Sequence, residues 1–121
     1  MSIHKDLDVW KIATNHAGNV YKITDEFPKK EIYGISAQMR RASVSIGANI
    51  AEGAARNPKK EFIRFLYIAL GSASELDTLI EISYLTNLFD KGTLNELQSD
   101  NDRISRMLQG LIQNLKEKTN R

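Results

Sequence analysis

The chain has 121 residues, 41% of them hydrophobic and 26% charged, with 17 basic side chains against 15 acidic and no cysteine. It is long enough for one core but not two, too apolar for a disordered chain, and devoid of disulfides or thiolate-held metals. A net charge of +2 does not by itself imply nucleic acid. With no membrane-spanning run and no leader-like start, the expectation is one cytoplasmic domain over residues 1–121 that does not engage a membrane.

Apolar residues recur at helical spacing four times, and no period-two run bounded by turn residues appears. The first helix is expected from about Lys5 to Thr24, with Leu7, Trp10, Ala13, Ala17, Val20, Tyr21 and Thr24 along one stripe and His16 near the polar side; Phe27-Pro28 ends it. The second follows the break at Gly34, with Ser36 as its N-cap and a stripe of Ile35, Met39, Ala42, Ile46, Asn49 (or Ile50) and Gly53. The third opens at Asn57-Pro58, Asn suiting the N-cap and Pro the first helical position. It carries Phe62, Phe65, Leu66, Ala69, Ala73, Leu76, Leu79, Ile80 and Ile82 to about Leu85. The fourth follows Asp90-Lys91-Gly92. Thr93 and Glu96 have capping-box spacing there, and Leu97, Ile104, Leu108, Leu111 and Leu115 hold a seven-residue frame. Short connections between long helices make neighbours antiparallel, which predicts an all-α, up-down-up-down four-helix bundle.

Charge is segregated along the chain. Lys29–Arg64 carries eight basic and three acidic residues, Phe65–Asp102 one basic and seven acidic, and Arg103–Arg121 five basic and one acidic. In an up-down bundle the turn between helices two and three shares a pole with the end of helix four. That pole gathers Arg56, Lys59, Lys60 and Arg64 with Lys116, Lys118 and Arg121, against Glu61 and Glu117.

Each candidate site has two readings. Lys59 and Lys60 fall in the first turn of helix three, where the macrodipole disfavours cations but free N–H groups favour anions. With Arg56 and Arg64 they read either as a phosphate contact or as a solvated basic turn. Arg40 and Arg41 point about 100° apart on a helix and read as surface charge, intersubunit salt bridges or a second phosphate patch. Asn49 and Glu52 read as register-fixing polar groups at a helix–helix contact, with Glu52 also spaced to pair with Arg56. No His-x-x-x-His, Glu-x-x-His, Gly-x-Ser-x-Gly or phosphate-cradling Gly-rich loop is present, so no catalytic residue, metal or cofactor is expected. A metal-dependent activity would need Glu52, Glu75 and Asp77 to converge. Ala42, Ser43, Ser45, Gly47, Ala48, Ala51 and Ala54 make helix two thin nearly all round, and Gly71, Ser72, Ala73 and Ser74 do the same midway along helix three. Such thinness fits tight packing within one bundle or contact with neighbouring subunits.

The stretches FPKKEIYGISAQMRRASVSIGANIAEGAAR and EFIRFLYIALGSASELDTLIEIS resemble the bacterial four-helix-bundle proteins encoded in intervening sequences of 23S rRNA genes. Tyr33-Gly34, Gln38-x-Arg40-Arg41-Ala42, Ser45-Ile46-x-x-Asn49-Ile50-Ala51-Glu52-Gly53, Phe62-x-x-Phe65-Leu66 and Gly71-Ser72-x-x-Glu75-Leu76 carry the likeness. Gly47 departs from it, since proline would be equally expected there. The resemblance implies a left-handed antiparallel bundle and a ring-like homopentamer. A similar likeness holds to the accessory protein of diversity-generating retroelements, which implies nucleic acid and a reverse transcriptase as partners. Asn49, Glu52, Gly53, Gly71, Ser72 and Glu75 are accordingly expected to serve fold and assembly. The functional expectation is a non-enzymatic homo-oligomer that binds RNA or DNA backbone through Arg56, Lys59, Lys60 and Arg64, with Arg40 and Arg41 second. Its rival is a scaffold that binds another protein through the acidic stretch Glu75–Asp102 or a helical face.

Overall fold

The structure, a computed structural model, describes residues 3–56 and 58–119. Four helices account for most of them: α1 (Asp8–Asp25), α2 (Ile35–Ala54), α3 (Lys59–Leu85) and α4 (Lys91–Thr119), with short 3₁₀ turns at Ile3–Asp6 and Lys29–Glu31. Each helix packs on two others in the cyclic order α1, α2, α3, α4, and the diagonal pairs do not meet. Residue pairs across each seam run in opposite directions. Thr24 meets Arg40 while Thr14 lies against Gly47; Met39 meets Ser83 while Gly53 lies against Phe62; Glu81 meets Gln98 while Tyr67 meets Lys116. The bundle is therefore up-down-up-down. At one pole the two connections touch through Phe27 and Phe89, whose ring centroids are 6.1 Å apart.

The core is aliphatic, with Met39, Ile46, Ile50, Leu66, Leu76, Ile80, Leu97, Ile104 and Leu108 fully buried. Residues of this kind each contribute roughly 1.5–3 kcal/mol when withdrawn from water. The α2–α3 seam is the closest. A Cβ built on Gly53 would stand 2.7 Å from Phe65 Cβ, 3.0 Å from Phe62 Cδ1 and 3.2 Å from the Phe62 carbonyl oxygen. Further along the seam the Ser45 and Ser72 hydroxyls share a 2.9 Å hydrogen bond, and Asn49 Nδ2 donates to the Ser45 carbonyl and hydroxyl at 2.8 and 2.9 Å. α2 runs unbroken through Gly47, where a Cβ would meet only the Thr14 methyl at 3.3 Å.

The helix ends depart from the expected caps. α2 starts at Ile35 directly after Gly34, whose N–H is held by the Glu31 carbonyl at 3.0 Å, so Ser36 lies inside the helix and is buried. α3 starts at Lys59 with Pro58 at the cap position; Asn57 lies outside the described residues. α4 starts three residues earlier than the capping-box reading. Asp90 Oδ1 accepts from the Thr93 N–H at 2.8 Å, which makes Asp90 the cap and holds its carboxyl below the usual range. Glu96 instead accepts from Asn19 of α1. α3 ends in a Schellman turn: Leu88 N–H bonds the Ser83 carbonyl at 2.9 Å, Asn87 N–H bonds Tyr84 at 3.0 Å, and Asn87 takes φ 63°.

His16 also departs from expectation. It is 3% exposed and faces α4 rather than the polar side of α1. Asn101 Nδ2 donates to the Ala73 carbonyl at 2.8 Å, so its Oδ1 is the atom that accepts from His16 Nε2 at 3.1 Å. The imidazole proton is thereby fixed on Nε2, and Nδ1 is buried with no hydrogen-bond partner. A second proton would place an unpaired N–H and a charge in the core, so burial lowers the His16 pKa; the Asn101 bond and nearby Asp100 oppose this less strongly.

Two outcomes follow from this packing. Gly53→Ala overpacks the α2–α3 seam and is expected to cost about 1–3 kcal/mol, whereas Gly110→Ala, on an open face of α4 with nothing within 4 Å, is expected to add up to about 1 kcal/mol through helix propensity. Urea unfolding of both variants checks the opposite signs. For His16 the folded pKa lies below the unfolded value, so its contribution is complete above the ordinary 6.5 and is lost as pH falls from there through the lower folded pKa. His16→Gln should flatten the loss of stability between neutral pH and mildly acidic pH, measured by urea midpoints across that range.

Candidate nucleic-acid interface

The α2–α3 turn and the end of α4 lie at one pole, because α3 begins where α2 ends and Lys116 of α4 reaches Tyr67 of α3. The Lys116 Nζ donates to the Tyr67 hydroxyl at 2.6 Å and sits 5.0 Å from the ring centroid. The tight packing at Gly53 places Phe65 beneath this turn. Its ring carries two guanidinium groups, Arg56 at 5.0 Å and Arg64 at 4.7 Å from the centroid. Each is also paired with an acid, Arg56, just past the end of α2, with Glu52 of α2 at 2.7 Å and Arg64 with Glu61 of α3 at 3.2 Å. The Glu52 hydrogen bond and charge raise the Arg56 pKa further above its already high value.

The lysines are placed differently. Lys59 and Lys60 are exposed in the first turn of α3, and Lys118 is exposed near the end of α4; among the described residues none of the three has an ion pair. The turn therefore presents two immobilised guanidinium groups and free ammonium groups around a helix N-terminus, whose open N–H groups add partial positive charge. Glu61 and Glu117 temper it; Glu117 accepts from Gln113 at 3.3 Å. Arg121 lies outside the described residues.

The structure does not bring Arg40 and Arg41 to this pole. Arg40 is tied to α1: its Nη2 pairs with Asp25 at 2.8 Å, its Nε donates to Thr24 Oγ1 at 2.9 Å, and its guanidinium lies 4.7 Å from the Tyr21 ring centroid. Arg41 is exposed and opens onto a groove of about 520 Å³ that it lines with Val44, Ser45, Ser72 and Glu75. Asn49, Gly53 and Ser72 are engaged in the α2–α3 seam, whereas Gly71 faces open space. Glu52, Glu75 and Asp77 stay apart: Glu52 is bound to Arg56, Glu75 lines the groove with Arg41, and Asp77 lines a separate cleft between α3 and α4. Among the described residues, no three His, Cys, Asp or Glu side chains are grouped to hold a metal. No helix among them is long and apolar enough to cross a membrane.

What the sequence reading missed is the role of aromatic rings. Phe65, Tyr67 and Tyr21 each seat a cation. The one legible signal is the adjacency of Arg64 and Phe65, since Tyr67 takes its cation from Lys116, 49 residues away.

The family model of the 23S rRNA-intervening sequence protein matches residues 5–110, and the chain belongs to that family. In fold it is similar to a crystal structure of a protein of unknown function from the S23 ribosomal protein family of Bacteroides thetaiotaomicron. The TM-score is 0.82 at 24% sequence identity, with 87% of this chain and 95% of that chain covered. No curated protein matches the chain.

Proposed function

We propose that this member of the 23S rRNA-intervening sequence protein family is a non-enzymatic, self-assembling bundle that binds nucleic acid backbone, RNA foremost, through its basic pole. The observation that carries the reading is the placing of Lys59, Lys60 and Lys118 at the same pole as the Phe65-seated Arg56 and Arg64, with the lysines free of ion pairs among the described residues. Free ammonium groups can neutralise phosphates and release counterions, while a guanidinium held flat on a ring keeps its outer N–H edge for phosphate oxygens. The family's name ties it to 23S rRNA, which favours RNA over DNA. The rings at this pole are already occupied, Phe65 by two guanidinium groups and Tyr67 by Lys116, which favours a backbone-directed contact over a sequence-reading one.

Assembly is supported by the outer surface of α2, where Val44, 46% exposed between two grooves, and the exposed Ala48 beside it form an apolar strip flanked by the exposed Gln38, Arg41 and Glu52. A homopentamer, the state implied by the family resemblance, would repeat the basic turn around an axis and raise avidity for any nucleic acid that spans several copies. The non-enzymatic reading is supported by the separate engagements of Glu52, Glu75 and Asp77. A second reading, a scaffold for another protein such as a reverse transcriptase, is favoured by the exposed apolar row Ile68, Ile82 and Leu85 on α3. A stoichiometric protein partner that survives nuclease treatment would select it.

The test is binding of a structured RNA at two salt concentrations. Wild-type affinity should fall steeply with salt. Lys59→Glu/Lys60→Glu should weaken binding about tenfold or more and reduce the log–log salt slope by about 2, one unit per lost phosphate contact. Absent binding at low salt, or an unaltered slope in the double variant, would overturn the assignment of this pole.

A further inference from the structure

Tyr33 is 97% exposed, more than any other large hydrophobic side chain among the described residues. It is nevertheless not on a loose segment. The Glu31 N–H bonds the Pro28 carbonyl at 2.9 Å, Ile32 bonds Lys29 at 3.1 Å, and Gly34 bonds Glu31 at 3.0 Å, so a 3₁₀ turn over Lys29–Glu31 and the hydrogen-bonded turn after it lead into α2. Ile32 beside it is also exposed, at 51%. The connection thus holds an apolar tip rigidly outward, and no contact within the chain accounts for it.

The same chain carries a groove of about 520 Å³ along the outer side of α2 and α3, a size suited to burying a large apolar group. It exists because its floor is made of small side chains, Ala42 and Ser45 from α2 and Ser72 from α3. Gly71 next to Ser72 adds no bulk, with open space where its Cβ would stand. Val44 forms an apolar wall with Tyr21 of α1 opposite, and the rim carries Arg41 and Glu75, neither of them in an ion pair among the described residues, beside Arg40, which is held by Asp25. Tyr33 cannot fill the groove of its own chain. It precedes the first turn of α2, and the groove is centred roughly ten residues further on, about 15 Å along the helix at 1.5 Å per residue.

We propose that the Ile32-Tyr33 tip of one copy of this chain inserts into the α2–α3 groove of a second copy. The proposal rests on the self-assembly part of the reading above and names its contact surfaces. The charges agree: Lys30 and Glu31 flank the tip without intrachain ion pairs, opposite in sign to Glu75 and Arg41 on the rim. The phenol hydroxyl arrives between an acceptor and a donor, so its burial is hydrogen-bonded as well as apolar, and a tyrosine withdraws about 150–250 Å². Tip and groove are different patches, so the contact is heterologous. It closes into a ring when the rotation per copy divides a full turn and otherwise continues as a filament.

The test joins native mass with disulfide trapping. Tyr33 touches nothing in its own chain, so Tyr33→Ala leaves the fold intact, which circular dichroism checks. The wild-type chain should form a defined oligomer, and Tyr33→Ala should raise its dissociation constant at least tenfold. The natural sequence has no cysteine, so mixing the single variants Tyr33→Cys and Val44→Cys under mild oxidant should give a mixed disulfide dimer in excess over either self-linked dimer. A wild-type chain that is monomeric at every concentration overturns both this proposal and the assembly reading. An oligomer that Tyr33→Ala leaves unchanged, or that forms no mixed disulfide, overturns only the tip-in-groove contact. A Tyr33→Ala variant with unchanged mass but weakened RNA binding also overturns it and makes Tyr33, with Lys29 and Lys30, a base-stacking residue instead.

Discussion

Where α2 meets α3 at Gly53, the helices stand so close that a single methyl group has no room. Much of the molecule depends on that approach. It lets Phe65 lie across the end of α2, where its ring holds Arg56 from the α2–α3 turn and Arg64 from α3. It brings Ser45 within hydrogen-bonding distance of Ser72 and so makes the seam partly polar along its outer edge. It also requires small residues along α2, and those small residues leave the outer surface of the α2–α3 pair grooved instead of ridged. Packing, the basic turn and the open groove thus share one cause.

A second constraint sits on the opposite side of the bundle. The α1–α4 seam relies on His16, Asn101 and the Ala73 carbonyl, a buried chain of hydrogen bonds linking three helices. Such a layer adds less than aliphatic packing would, but it penalises any shift in register, because a slipped helix leaves several buried polar groups unsatisfied at about 1–3 kcal/mol each. His16 Nδ1 is already one such group. The α2–α3 seam is thus fixed by shape and the α1–α4 seam by hydrogen-bond matching.

Helix number, order and poles were legible in the sequence, since they depend on apolar periodicity and connection length. Helix starts were less so. Asp90 and Thr93 are both capping residues, three positions apart, and the Asp90 carboxylate takes the Thr93 N–H that the capping box would have given to Glu96. Ser36 resembles a cap in isolation, yet the 3₁₀ turn closing on Gly34 begins the helix one residue before it. The stripe of α1 was misjudged because it was drawn against a single neighbour. α1 packs on α2 and α4 together, so Val9 and His16 turn inward while Tyr21 is half exposed under Arg40. His16 finds its partner 85 residues away, a pairing that local periodicity does not contain. In the basic pole the charges could be read directly, but their division into ring-seated arginines and free lysines required the position of Phe65.

The division matters for how one small bundle can assemble and still bind. The Ile32-Tyr33 tip is at the pole formed by the α1–α2 and α3–α4 connections, and the groove lies between that pole and the middle of α2. Contacts between copies through these two patches, as proposed, would leave the α2–α3 turn uncovered, at the other end of the molecule. Each added copy would then contribute another set of lysines without burying the previous one. Fixed guanidinium groups on Phe65 limit the side-chain entropy that phosphate contact would otherwise cost, whereas the mobile lysines adapt to backbones of different shape. A single turn of this kind offers few phosphate contacts. Under the proposed function, its repetition around an assembly would favour nucleic acid long or folded enough to touch several turns at once, so discrimination by size and shape would arise without a base-reading residue.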